Sequence, residues 1–381
     1  MLSRFVDYVL IAAAGVIMST GGLSAHGEER LIFVSAFDAG DAGAIHAYSM
    51  NSESGSLKLL HRTTGAENAF FLALSPDRKF LYSIYAPGQF GGKNNEQISA
   101  YSVLGKTGEL KLLNRTSALG TAACYLDVDA TGKTVLVANY STGSVASLPV
   151  NSDGSLGEAT TFVQHEGRSV DQSRQDGPHA HCFVVSPDNR FALSADLGLD
   201  QIKIYKLDTA KSTLTASQHP FVRTPPGAGP RHLTFHPDGR HVYVINELSN
   251  SVTLFDYLPE SGILTEQQTI STVPGDFTGT SYCADLKITP DGRFLYGTNR
   301  GHDSVACYRL DAMGRLTLIS IVPSHGKGPQ NLLITPDGRH LLCANMPGNN
   351  LVVFEIHGDT GELKICGEPV SITGPSCIRL Y

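Results

Sequence analysis

The sequence predicts an all-β chain: a seven-bladed β-propeller of four-stranded antiparallel blades, the last blade closed by the N- and C-terminal strands. Three observations predict it. One turn phrase recurs at Ser75-Pro76-Asp77, Ser186-Pro187-Asp188, His236-Pro237-Asp238, Thr289-Pro290-Asp291 and Thr335-Pro336-Asp337, with a degenerate copy at Asp129-Ala130-Thr131. A second phrase recurs out of step with it, at Ser54–Leu57, Thr107–Leu110, Asp153–Leu156, Ser261–Leu264, Met313–Leu316 and Thr360–Leu363, with a diverged copy at Ala210–Leu214. The third observation is length. Setting aside ~25 N-terminal residues leaves about 356, or about 51 for each of seven blades, which suits a propeller repeat.

Composition agrees. The 381 residues include 39 Gly, 14 Tyr, 16 Phe and no Trp. Excess glycine suits many tight turns, and the missing Trp argues against the repeat whose signature contains Trp-Asp. A hydrophobic content of 41% excludes a disordered chain. A net charge of −7 offers no basic footprint, so nucleic acid is not an expected partner.

Residues 1–25 read as a secretory signal. Arg4 precedes the apolar run Val9–Met18, and small residues follow. The run is too short for a membrane span, and no other segment is apolar enough for one. The chain is therefore expected in the periplasm or outside the cell, free of the membrane after cleavage, with residues 26–381 forming one propeller and a monomer.

The mature chain begins on Leu31–Ala36, which resembles the second strand (B) of a blade, and continues through Ile45–Met50 as strand C and the Ser54–Leu57 turn into strand D. The clearest whole blade has strand A at Arg231–Phe235, B at His241–Asn246, C at Ser251–Tyr257 and D at about Leu264–Thr272. Its first turn follows from turn chemistry: Pro fixes φ, Asp bonds locally and Gly accepts positive φ. The chain ends on Gly374-Pro375-Ser376, which matches the A-strand entries Gly229-Pro230-Arg231 and Gly328-Pro329-Gln330. The C-terminus thus supplies the A strand that the N-terminus lacks, which leaves the ring without free edges. The seven cysteines are odd in number and contain no CxxC, so they read as buried free thiols.

Strands A and B are antiparallel, so the residues entering A and leaving B share one mouth of the central channel. Consecutive blades bring His179 and His181, then Arg231, His232 and Glu247, then Asp285, Asn299 and Arg300, then Gln330 to that mouth. This set exceeds what a packed core needs. Other readings stand beside it. His179 and His181 are two apart on a strand, so both could face one side and ligate a metal. Arg231 and Glu247 could form a structural ion pair. Asn139, Asn246, Asn299 and Asn345 all end B strands, and such repetition points to a turn role. The insertion Gln164–Gly177 falls on the mouth side, where it could act as a lid or specificity loop.

Pro230–Glu247, the Thr298–Val305 stretch (TNRGHDSV) and the TGEL turns resemble the lactonase family of seven-bladed propellers, which includes propeller-type 6-phosphogluconolactonases and fungal carboxymuconate cyclases. The resemblance covers nearly all of residues 31–381. It implies a site of one His, two Arg and one Glu, which carry over to His179 or His181, Arg231, Arg300 and Glu247. It implies a lactone hydrolase acting on a small lactone or carboxylate, with no cofactor and no metal. Glu247 or a neutral His181 would be the base for water attack. Arg231 and Arg300 would bind a carboxylate or oxyanion, with His232, Asn299, Gln330 and Asp285 around the substrate. No GxSxG elbow is present, which favours direct water attack over an acyl-enzyme. The rival readings are a carboxymuconate-type lactonising cycloisomerase, a non-catalytic periplasmic binding propeller, and a calcium-dependent lactonase using channel carboxylates.

Overall fold

The computed structural model describes residues 27–92 and 96–381; the predicted signal lies outside them. Among the described residues, the strands form seven separate sheets, each following the A-to-D order expected of a blade. Blade I joins Pro375–Leu380, as its A strand, to Glu29–Ala36, Ala44–Asn51 and Leu57–Thr64. Blades II to VII follow in chain order, with A strands at Leu72–Leu74, Ala123–Val128, Ala180–Val185, Pro230–Phe235, Tyr282–Ile288 and Pro329–Ile334. The predicted ring closure is present: Ile32 pairs with Leu380, and the ladder runs on to Ala36 opposite Pro375.

Two kinds of turn hold the far face. The Pro-Asp turn places its fourth residue at positive φ. That residue is Gly239, Gly292 or Gly338 in three blades and Arg78 or Asn189 in two others. The second turn matters for how blades approach each other. A Cβ on Gly154 would lie 2.1 Å from the ring of Phe80 in the preceding blade, and one on Gly361 would lie 2.3 Å from Phe294. The glycine is required because the first B residue of one blade packs flat on the turn of the next. Tyr82, Tyr243 and Tyr296 add a bond across the same seam, donating to the carbonyls of Gly154, Gly314 and Gly361. These Tyr and Phe side chains seal the blades without any Trp. In the diverged turn, Ser212 stands at positive φ where the others have Gly, and the partner is Thr134 instead of Phe, with the two hydroxyls 2.9 Å apart.

Six of the seven cysteines are buried and all are free; they are not one to a blade, since Cys283 and Cys307 share one blade and Cys343 and Cys366 another. No described helix is long and apolar enough to cross a membrane.

Candidate active site

A break in strand regularity aims the important side chains. In blades III, IV, V and VII the A strand carries a bulge near its start, where an extra residue has no partner on strand B. The register skips between Ala123 and Tyr125, Ala180 and Cys182, Pro230 and His232, and Pro329 and Asn331. The skipped residues are Cys124, His181, Arg231 and Gln330. A bulge re-aims its side chain, and all four line one cavity of about 230 Å³ at the channel mouth. The B strands contribute the residue just past the pinned Asn: Tyr140, Glu247, Arg300 and Met346. Phe70, Phe90 and Ala122 form an apolar wall.

Glu247 is the hub. Its Oε2 accepts from Arg231 Nε at 3.0 Å and from Arg300 Nη2 at 2.7 Å, and its Oε1 accepts from Arg174 Nη2 at 2.5 Å. Burial alone would raise its pKa, but the charges of Arg300 and Arg231 outweigh burial and lower it. Glu247 is therefore a buried carboxylate with both oxygens committed. Arg231 is 1% exposed and also donates to the Ala284 carbonyl at 2.6 Å. Burial and the nearby Arg300 charge lower its pKa to about 10, which leaves it cationic at neutral pH. Arg300 is braced by the carbonyls of Tyr282 and Cys283, and its Nη1 lies 3.4 Å from Gln330 Oε1.

His181 has the opposite character. Its Nδ1 is buried and has no hydrogen-bond partner. Burial first, then the charge of Arg231, hold its pKa well below the usual 6.5, so the ring is neutral at pH 7. A buried nitrogen left unpaired costs about 1–3 kcal/mol, which is tolerable where water or substrate completes it. The ring packs edge-on against Tyr140 and His232.

The other predicted residues divide. His179 does not line the cavity. It stacks on Tyr140, its Nδ1 lies 3.0 Å from the Tyr140 carbonyl, and its backbone N–H donates to Asp196. The bulge at His181 breaks the period-two alternation, so the two imidazoles do not form a metal pair. His232 lies behind Arg231. Its Nε2 faces Arg231 Nη1 at 3.1 Å and its Nδ1 faces Asp285 at 2.9 Å, which makes it an Nδ1–H tautomer; burial and the Arg231 charge lower its pKa to about 3. Asp285 lies deeper in the channel and is held by His232, Lys287, Asn331 and the Leu332 amide. His232 and Asp285 orient Arg231 rather than face the cavity. Asn299 does not reach it either. Its amide donates to the Thr272 carbonyl and to Ser304. Asn139, Asn246 and Asn345 likewise bond to the residue five further on, so the turn reading holds for all four. Glu247, Asp285 and Asp196 all face N–H donors, the reverse of a calcium cage.

Sequence reasoning missed Arg174. It comes from the Gln164–Gly177 insertion, which is a strap rather than a loose lid. His165, 3% exposed, bridges Asp196 Oδ2 at 2.6 Å and the Tyr205 hydroxyl at 2.8 Å. Ser169 bonds Asp200, and Gln175 bonds the Leu197 carbonyl. These anchors carry Arg174 across the mouth onto Glu247, with its guanidinium 5.3 Å from the Tyr282 ring centroid. A basic residue in a mouth-side insertion was the only available signal.

The family model described as "Lactonase, 7-bladed beta-propeller" matches residues 31–380. The chain belongs to this lactonase family. It is 34% identical over 348 residues to a 6-phosphogluconolactonase of Bacillus subtilis, covering 91% of this chain and 97% of that one. It is 32% identical over 357 residues to a 6-phosphogluconolactonase of Formosa agariphila, covering 92% and 99%. Among solved structures, the periplasmic gluconolactonase of Pseudomonas aeruginosa superposes with a TM-score of 0.86 at 32% identity, covering 93% of this chain and 99% of that one.

Proposed function

We propose that this lactonase-family chain hydrolyses aldono-lactones by direct water attack at the channel mouth and prefers a substrate bearing an anionic group, as in a 6-phosphogluconolactone. One observation carries the reading: the small cavity gathers Arg174, Arg231 and Arg300 around the single carboxylate of Glu247, beside a neutral, unpartnered His181. Three guanidiniums against one carboxylate leave an excess of two positive charges. Arg174 and Arg300, with side chains 29% and 27% exposed, can reach a ligand. Guanidinium forks suit carboxylate, phosphate and a developing oxyanion. The names of the relatives support the same chemistry.

The roles follow from the electrostatics. Glu247 has a lowered pKa and both oxygens occupied, so it is a poor base; it holds the arginines in position. His181 is neutral and lines the cavity, so its ring takes the proton from the attacking water. Arg231, fixed from behind by His232, faces the oxyanion. When the ring opens, the protonated His181 returns the proton to the leaving alkoxide. The first 25 residues, read as an export signal, support a location outside the cytoplasm.

A panel of lactones, assayed above spontaneous hydrolysis with and without chelator, tests the proposal. The expected result is turnover of 6-phosphogluconolactone at least about tenfold more efficient than that of gluconolactone, unaffected by chelator, and reduced ~10²-fold or more in His181→Ala. No hydrolysis of any lactone, or a wild-type rate in His181→Ala, would overturn it.

A further inference from the structure

Blade V carries a cluster on the far face that the channel mouth does not use. In four of the five Pro-Asp turns a hydroxyl donates to the turn carboxylate: Ser75 to Asp77, Ser186 to Asp188, Thr289 to Asp291 and Thr335 to Asp337. Blade V has His236 in place of that hydroxyl. Five residues on, the other four turns have Phe80, Phe191, Phe294 and His340, and blade V has His241. This turn alone places an imidazole at both positions, with Asp238 between them.

The three side chains converge. His236 Nδ1 lies 3.0 Å from Asp238 Oδ2, and His241 Nδ1 lies 2.8 Å from the same oxygen. All three atoms fall within 4.8 Å of one another. Metal bonds of about 2.0–2.2 Å in a tetrahedron set ligands roughly 3.3 Å apart, so a small opening of the cluster admits an ion. Each ligand is also oriented from behind. His236 Nε2 donates to the Gly292 carbonyl at 3.0 Å, which puts the ring lone pair on the converging Nδ1; that lone pair accepts from the Asp238 amide at 3.2 Å and is given up to an entering ion. His241 Nε2 faces Asp256 at 3.7 Å. Asp238 Oδ1 accepts from the Arg240 amide at 2.7 Å. Histidine ligands of metals are held by such outer partners. The side chains of His236, Asp238 and His241 are 17%, 35% and 14% exposed, so solvent reaches the site and water can complete the coordination.

We propose that His236, Asp238 and His241 form a binding site for a transition-metal dication of the zinc class, which staples the first turn of blade V. Two imidazoles and a carboxylate suit that class. To bind through Nδ1, His241 shifts its one ring proton to Nε2, on the side of Asp256, and Asp238 exchanges an N–H donor for the ion. The site stands on the opposite face from the lactone chemistry.

The test is a zinc titration of the metal-free, untagged chain, by calorimetry and by metal analysis after desalting. One zinc ion per chain and a raised melting temperature are expected. The double variant His236→Ser/His241→Phe, which restores the residues of the other turns, should lose zinc binding while keeping lactone turnover. Asp238→Asn, which keeps a turn acceptor, should weaken binding at least about tenfold. A wild-type chain that retains no zinc, or variants that bind as tightly as wild type, would overturn the site.

Discussion

His232, Asp285 and His181 show how one buried charge layout fixes both reactivity and acid tolerance. Arg231 stays cationic in the interior because Glu247 faces it, while the two imidazoles beside it stay neutral. A neutral buried imidazole makes stability depend on pH. Below the ordinary value of 6.5 the unfolded chain takes up protons that the folded chain does not, so stability is complete above pH 6.5 and falls as the pH drops toward the folded value of about 3 for His232. Asp285, also lowered, adds a loss of the same sign below the ordinary 3.8. Asp127 opposes them. Burial raises it to about 6, so between 3.8 and that value the folded chain holds a proton that the unfolded chain has lost. Two imidazoles outweigh one carboxyl. Urea unfolding at pH 5 should therefore show a stability lower by about 1 kcal/mol or more than at pH 7.5. Equal stability at the two pH values would mean that the imidazoles take up protons within the fold.

At the scale of elements, the turns and strands were legible in the sequence because each rests on local chemistry. The predicted strand A of blade V began at Arg231 and is observed from Pro230, and strand B is His241–Asn246 as read. The bulges were not legible. Whether an extra residue is left unpaired depends on the partner strand, so His179 and His181 looked equivalent by spacing and only His181 reaches the cavity. Arg174 was hidden for a related reason: nothing local fixes where an insertion lands, and its landing is set by His165, Ser169 and Gln175 bonding to blade IV. This division gives a test of the strap. Arg174→Ala removes a charge-assisted bond of about 1.5–3 kcal/mol, so KM for an anionic lactone should rise roughly tenfold or more, with kcat and melting temperature little changed. His165→Ala should raise KM in the same direction and also lower the melting temperature, because it strands the buried Asp196. An unchanged KM in Arg174→Ala would remove the strap from substrate binding.

At the scale of the whole molecule, the two ends of the chain act as one element. Residues 375–381 pair with Glu29–Ala36 and also tie the neighbouring blades. Ile378 N–H donates to Asn331 of blade VII at 2.8 Å, and Cys377 Sγ meets the Leu72 amide of blade II at 3.4 Å. Cys377 and Ile378 are fully buried. Deleting residues 375–381 opens the ring and exposes an edge on blade I. It also strips apolar surface worth about 1.5–3 kcal/mol per large side chain, from a domain whose margin is typically about 5–15 kcal/mol. The truncated chain should lose its cooperative melt and become sensitive to limited proteolysis. Truncation alone does not separate loss of mass from loss of closure, and the geometry offers a control that does. Tyr381 N–H donates to the Leu31 carbonyl at 2.9 Å, so the C-terminus lies beside the start of the next strand, where every other blade has a short turn from A to B. A circular permutant can join residue 381 to residue 29 through a Pro-Asp-Gly turn and open the chain between blades I and II at the exposed Gly65. It keeps every blade and converts blade I into an ordinary one. It should melt within a few degrees of the parent and retain lactone turnover, since permutation is tolerated where termini lie close together. A permutant that fails to fold would show that the order in which the strands emerge from the chain, and not the closed ring alone, is what this propeller requires.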